Sequence, residues 1–108
     1  MTRKNELLEA INRRVRELLP ASGDFQTGIE GLDIHRRDAG FFRNFFAQPY
    51  INLIVQGHKH SRFGDTEFTF GTGEVLLMNL PMPAASHVVQ ASAENPFMSV
   101  SIYPKPAL

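Results

Sequence analysis

The sequence predicts a mainly β domain, a small antiparallel barrel or sandwich with a pocket, preceded by one N-terminal α-helix. Three observations carry this. Apolar residues recur at helical spacing between Thr2 and Leu19. From Tyr50 onward, short apolar runs are separated by glycine turns, and two of those runs alternate apolar and polar residues with the period of a strand. With 108 residues the chain has room for a single domain and one modest core.

The helix is the most periodic element. Leu7, Leu8, Ile11, Val15, Leu18 and Leu19 make a one-faced stripe, Thr2 is the expected N-cap, and Pro20 ends the run. Glu6 and Glu9 sit toward the positive end of the helix dipole. Arg13, Arg14 and Arg16 fall mainly off the stripe with Glu9 and Glu17 nearby, which reads as a solvated face and not as a nucleic-acid surface. A helix this short is not stable alone, so its stripe must dock on the β part or on a second copy. The expected organisation is a helix over residues 1–20 and a β part over residues 21–108, within one domain.

The β elements follow in order. Ala21 to Asp24 reads as a turn-rich connector, and the alternation from Ile29 to Ile34 predicts a first strand. Phe41, Phe42, Phe45 and Phe46 cluster around Arg43 and Asn44, a density of rings that predicts core and barrel-end packing. In Tyr50 to Gln56 the apolar set is Ile51, Leu53 and Val55, and in Phe97 to Tyr103 it is Met98, Val100 and Ile102. Both sets are expected to face inward, with Phe68 and Phe70 as a third wall. Gly64-Asp65 predicts a hairpin turn. Gly71-Thr72-Gly73 lies between strands without a following Lys-Ser or Lys-Thr, so it reads as another turn and not as a phosphate loop.

Composition excludes several classes. Eleven basic and eleven acidic residues cancel, which leaves no global field for nucleic acid or an anionic membrane. Cysteine is absent, which removes disulfides, thiolate nucleophiles and thiolate metal sites. No apolar run approaches the roughly 20 residues that cross a bilayer, and the charged start from Arg3 lacks the apolar region of a secretory signal, so a cytoplasmic protein is expected.

The candidate chemistry is thin. His58 and His60 project from one face of a strand, and with Glu67 and His87 they make a ligand set suited to zinc or non-haem iron. Lys59 and Arg62 flank that pair and oppose a cation, so these histidines read as surface or rim residues. Ser86, His87 and Asp65 are the residue types of a hydrolytic triad, but nothing places the serine on a nucleophile elbow. No catalytic residue, metal or cofactor is expected, and the sequence points to sensing.

The runs YINLIVQG (50–57), FGDTEFTFGTGEVLLMNLPMP (63–83) and ENPFMSVSIYP (94–104) together resemble the N-terminal, cupin-like sensory domain of AraC-type transcriptional regulators. The features that carry the resemblance are Gln56-Gly57, the spaced Gly64, Gly71 and Gly73, the strand Val75 to Met78, Pro81-x-Pro83 and the strand Phe97 to Tyr103, over residues 25–108. The resemblance implies a cupin-like, jelly-roll barrel that binds an unknown small-molecule effector and dimerises. It also implies contact with DNA only through a C-terminal helix-turn-helix part, which nothing after Tyr103 supplies. Metal-binding cupins carry a His-x-His on the strand corresponding to Phe41–Phe46. That strand holds no histidine here, and only His87 falls where their second motif places one, so the metal centre is not expected.

On this reading Phe45, Met98 and Val100 are the pocket walls, and Arg43 and His87 the polar contacts. Leu7, Ile11, Val15 and Leu18, or else an exposed strand edge, form the homodimer contact, unless the barrel itself covers the stripe. The alternative is a stand-alone cupin-type metal-dependent enzyme, an oxygenase or isomerase, using His58, His60, Glu67 and His87. A third possibility is a dimerisation domain whose barrel is filled with side chains.

Overall fold

Helix α1 (Arg3–Leu18) closes with the Leu19 amide donating to the Val15 carbonyl at 2.8 Å, just before Pro20. The computed structural model describes residues 3–104, so the N-cap assigned to Thr2 lies outside the described residues. Nine strands follow: β1 (Gly23–Gln26), β2 (Leu32–Arg37), β3 (Phe41–Ala47), β4 (Tyr50–Gln56), β5 (His58–Phe63), β6 (Thr66–Gly71), β7 (Val75–Met78), β8 (Met82–Val88) and β9 (Phe97–Ile102). Their order in one sheet is β1-β2-β9-β4-β7 and in the other β3-β8-β5-β6, with every pairing antiparallel. The cupin-like, mainly β fold stands, but the two sheets are not hydrogen-bonded into a closed barrel.

The strand expected over Ile29–Ile34 is instead a turn followed by a strand. Thr27 Oγ1 donates to the Leu32 carbonyl at 2.7 Å, and the Leu32 amide donates to the Ile29 carbonyl at 3.1 Å, closing a turn that β2 then leaves. Gly31 sits at φ +79°, and a Cβ there would lie 2.7 Å from the Tyr103 carbonyl oxygen. Only glycine fits that close approach. Part of the segment assigned to a connector, Gly23-Asp24, opens β1.

The inward and outward faces of β4 and β9 are the reverse of those expected. Val15 of α1 packs with Ile34, Val55 and Met98 in one buried cluster, flanked by Ile11, Leu18, Leu19, Leu53 and Val100. The helix therefore lies on the outer face of the β2-β9-β4 sheet and takes up the apolar residues that alternation assigned to the lumen. Burying a side chain such as Val15 stabilises by roughly 1.5–3 kcal/mol, which is why the stripe docks within the chain. Polar contacts pin it further. Asn12 Nδ2 and Arg16 Nη2 donate to Gln56 Oε1 at 2.9 and 3.1 Å, and Arg36 Nη1 donates to the Leu19 carbonyl at 3.2 Å, a cation at the helix C-terminus.

The sandwich interior has apolar clusters of its own. One contains Ala47, Tyr50, Phe63, Leu76, Met78 and Ala84, another Ile54, Val88 and Phe97. The phenylalanines of β3 divide accordingly. Phe41 and Phe45 face inward and pack on these clusters, whereas Phe42 and Phe46 are 60% and 59% exposed, Phe46 at the rim of the space between the sheets.

Candidate functional site

Because α1 covers the apolar side of β9 and β4, the opposite sides of those strands present polar groups to the space between the sheets. Asn52, Ser99 and Ser101 are buried there, and Lys59 and Ser61 join them from β5. This space holds a cavity of about 240 Å³. Its walls include Phe41, Phe45, Tyr50 and Phe97, and its polar lining includes His35, Arg37, Arg43, Asn52 and Lys59. Among the described residues no aspartate or glutamate lines it.

On the side formed by β2, β4 and β9 a hydrogen-bond chain is complete except at one end. Asp24 Oδ1 lies 2.7 Å from His35 Nδ1, and His35 Nε2 lies 3.0 Å from Ser101 Oγ. Asn52 Nδ2 donates to Ser101 Oγ at 2.9 Å and to the Val100 carbonyl at 3.3 Å. His35 Nδ1 donates to Asp24 and Asn52 Nδ2 donates to Ser101 Oγ, while the proton between His35 Nε2 and Ser101 Oγ sits on one or the other according to the tautomer and protonation of the ring. The far end is Asn52 Oδ1, a buried acceptor with no hydrogen-bond partner. An unpaired buried acceptor is uncommon, because it forfeits its water without compensation.

Asp24, His35 and Ser101 are the residue types of an acyl-transfer triad, but their setting differs from one. Ser101 is 2% exposed on a central strand paired on both sides, and its oxygen already accepts from Asn52. Ser101 pairs with Asp33 of β2 and Asn52 of β4, so the strands on both sides of it are engaged in ladders. The chain orients an amide.

The cations differ in how they are held. Arg37 Nη2 donates to both Asp24 oxygens at 2.9 and 3.2 Å, and its guanidinium lies 4.5 Å over the Phe41 ring. Burial works to raise the Asp24 pKa, but hydrogen bonds from His35 and Arg37 and their charges leave it below its ordinary value. Arg43 lies 4.7 Å over the Phe45 ring at the exposed end of the cavity. Lys59, 8% exposed, has no carboxylate or hydrogen-bond partner among the described residues. Burial first, and then repulsion from Arg43, lower its pKa to about 8. Burial, with the nearby Tyr103, pushes the Tyr50 phenol up to about 12 against a smaller opposing effect of Arg43. Tyr50 stacks on Tyr103 with ring centres 5.8 Å apart.

Of the residues the sequence offered for the pocket, the structure brings Arg43 and Phe45 to the cavity. Met98 and Val100 lie on the other face of β9, under the helix, because α1 claims that apolar side. His87 points outward from β8, edge-on to Phe42 at 5.8 Å. His58, His60 and Glu67 are outward residues too. His60 registers opposite His87, and its Nε2 is 3.5 Å from Glu67 Oε2. Among the described residues no group of three such side chains is placed to hold a metal ion. Of the proposed dimer residues, Ile11, Val15 and Leu18 pack on their own sheet, and Leu7 stays 50% exposed. Among the described residues no helix is long and apolar enough to cross a membrane.

Sequence reasoning missed Asp24, His35, Arg37, Asn52, Lys59 and Ser101. One signal was present. In HKHSRF, Lys59 is in phase with Ser61 and Phe63, so a buried Phe63 brings the lysine inside with it.

Comparison with known proteins places this geometry. The model of the AraC-type transcriptional regulator N-terminus matches residues 28–108. Among curated protein sequences, none is similar enough to match. A protein of unknown function from Rhizobium leguminosarum is similar at a TM-score of 0.65 and 16% identity, over 85% of this chain and 92% of that one. A cupin-2 domain protein from Shewanella frigidimarina is similar at a TM-score of 0.60 and 11% identity, over 88% of this chain and 92% of that one. DMSP lyase from Ruegeria pomeroyi is similar at a TM-score of 0.54 and 19% identity, over 68% of this chain and 37% of the lyase. At these identities the likeness is one of fold.

Proposed function

Since the chain belongs to the family of AraC-type transcriptional regulator N-termini, we propose that it is a non-enzymatic sensory module that binds a small effector between its two sheets. It would thereby govern a helix-turn-helix part beyond these 108 residues. The observation that carries this is the cavity of about 240 Å³, whose polar lining includes Asn52, with its unsatisfied buried Oδ1, and the buried Lys59, both without a partner there among the described residues. Ligand sites are built this way, with apolar walls and a few convergent polar groups. The metal-enzyme alternative finds less support, because His58, His60, Glu67 and His87 all project from the outer face, away from that cavity.

The test is a thermal-shift screen of small metabolites on the chain and on Ser86→Leu, which narrows the cavity from β8. A ligand present at about 100 times its Kd stabilises the folded chain by roughly 2.7 kcal/mol. Stabilisation of wild type that the folded variant lacks is expected. Equal responses from both would refute a site between the sheets.

Homodimerisation belongs to the same proposal, but the surface differs from the helix stripe. The row Leu32, Ile102, Ile51 and Leu77 runs across the outer face beside the helix and ends at the edge strand β7, with Leu77 68% exposed. A second copy is the occupant proposed for that edge. Light scattering is expected to show a dimer for wild type and a folded monomer for Leu77→Lys with Ile102→Lys. A wild-type monomer at high micromolar concentration would refute it.

A further inference from the structure

We infer that the cavity, taken as the effector site proposed above, selects a small organic carboxylate that also carries one hydroxyl or amide donor. The carboxylate is held by Lys59 and Arg43, and the donor meets Asn52 Oδ1.

The charge balance of the lining is the first ground. The whole chain has no net charge, yet among the described residues three cations and no carboxylate line this cavity. Arg37 is matched by Asp24, which sits behind it. Among the described residues Lys59 and Arg43 have no such partner, and Arg43 opposes the charge of Lys59. A buried ammonium is tolerated when an anion and hydrogen bonds replace its water. An anion between these two residues supplies both and relieves their repulsion, and Arg43 adds a guanidinium fork that suits a carboxylate.

The second ground is independent of charge. Asn52 cannot turn its amide to satisfy Oδ1 without breaking its bonds to Ser101 and Val100, and the chain through His35 to Asp24 fixes Ser101 in turn. A donor on the ligand is the missing partner. The volume and walls fix the rest. About 240 Å³ lies below the roughly 300–1,000 Å³ of drug-sized pockets, and rings of Phe41, Phe45, Tyr50 and Phe97 line it. The ligand's body is therefore one ring or a short branched chain.

The experiment is isothermal titration of the 108-residue chain with 4-hydroxybenzoate, mandelate and 2-hydroxyisocaproate, each beside the neutral alcohol that lacks its carboxylate, and with inorganic phosphate. At least one acid is expected to bind below 1 mM, at least about tenfold tighter than its alcohol, in keeping with the loss of one charge-assisted contact. Lys59→Met and Arg43→Met, checked for folding by circular dichroism, are each expected to weaken that acid about tenfold or more and leave the alcohol unchanged.

Affinity is expected to fall as pH rises above about 8, where the free lysine loses its proton. The other titratable groups facing the cavity are Arg43 on β3, Tyr50 on β4, His35 and Arg37 on β2, and Tyr103 after β9. Alcohols binding as tightly as acids, or acids binding Lys59→Met as they bind wild type, would sink the carboxylate assignment while leaving the effector site standing. Phosphate binding with no acid binding overturns the organic ligand and keeps the anion site. No binding by any probe overturns the inference, and the metabolite screen against Ser86→Leu then decides the effector site separately.

Discussion

Replacing Lys59 by methionine should make the unliganded domain more stable. The folded chain lowers the Lys59 pKa from 10.5 to about 8, first through burial and then through Arg43. At about 1.36 kcal/mol for each pKa unit, the charged lysine costs the folded state roughly 3 kcal/mol at neutral pH. Methionine keeps the unbranched stem and has no charge to desolvate. Part of the gain is forfeited because the thioether faces a partly polar cavity, so the expected net gain is about 1–3 kcal/mol. For a domain of this size each kcal/mol moves Tm by roughly 4–8 °C, so a rise of about 5–15 °C is expected.

The pH dependence gives a sharper test. The folded pKa lies below the unfolded one, so between pH 8 and 10.5 the unfolded chain binds more protons. Lysine's contribution to wild-type stability therefore rises with pH across that window and is constant below it. Urea unfolding of both proteins at several pH values isolates this contribution. The stability difference should be greatest at pH 7 and fall by roughly 3 kcal/mol as pH approaches 10.5. A less stable Lys59→Met at pH 7, or a difference that ignores pH from 7 to 10.5, would show that Lys59 already has a partner.

Three further outcomes are expected. Val15→Asp puts a carboxylate into the cluster of Ile34, Val55 and Met98. It should destabilise by about 3 kcal/mol or more, read by urea unfolding, whereas a stable but monomeric variant would mean the stripe serves a partner. Asp24→Asn removes a carboxylate whose pKa is held below 3.8, so its contribution is present above that value and lost on acidification through the folded pKa. The variant should melt lower at pH 7 and lose part of the wild-type acid slope below pH 4, and an unchanged melt would contradict the hydrogen bonds to His35 and Arg37. The 108-residue chain should show no sub-micromolar DNA binding near physiological salt by fluorescence polarisation, since its charge is balanced and Arg16 is occupied with Asn12 and Gln56.

What the sequence made legible was periodicity, and what it hid was orientation. The alternation over Tyr50–Gln56 and Phe97–Tyr103 located β4 and β9 almost to the residue, and the stripe over residues 2–19 located α1. Alternation states which residues share a face, not which element covers that face. The expectation that Ile51, Leu53 and Val55 face inward assumed that the most apolar side is the lumen. A docked helix reverses that, because the helix–sheet seam then becomes the drier interior. Arg43 and Phe45 reached the cavity because β3 has no helix behind it. Met98 and Val100 missed it because β9 does. Asp24, His35 and Asn52 could not have been grouped from sequence, since their association depends on the registers of β1, β2, β9 and β4.

The two interiors also divide the work of the fold. The helix–sheet seam, built on Val15, Ile34, Val55 and Met98, supplies apolar burial that does not involve the cavity. The sandwich can therefore hold the Asn52 Oδ1 acceptor and Lys59 inside without partners among the described residues, because apolar burial at the seam and in the sandwich's own clusters offsets their cost. The two groups that await partners lie on different sheets, Lys59 with Arg43 on the β3-β8-β5-β6 sheet and Asn52 on the other. Among the described residues no strand pairing joins those sheets. A ligand that satisfied both would bridge them, and its binding energy would act on their relative position. That is a differential contact of the kind an effector needs if it is to favour one arrangement of a domain over another. The Lys59→Met variant separates the roles, since it removes the bridge on one side while leaving the helix–sheet seam intact.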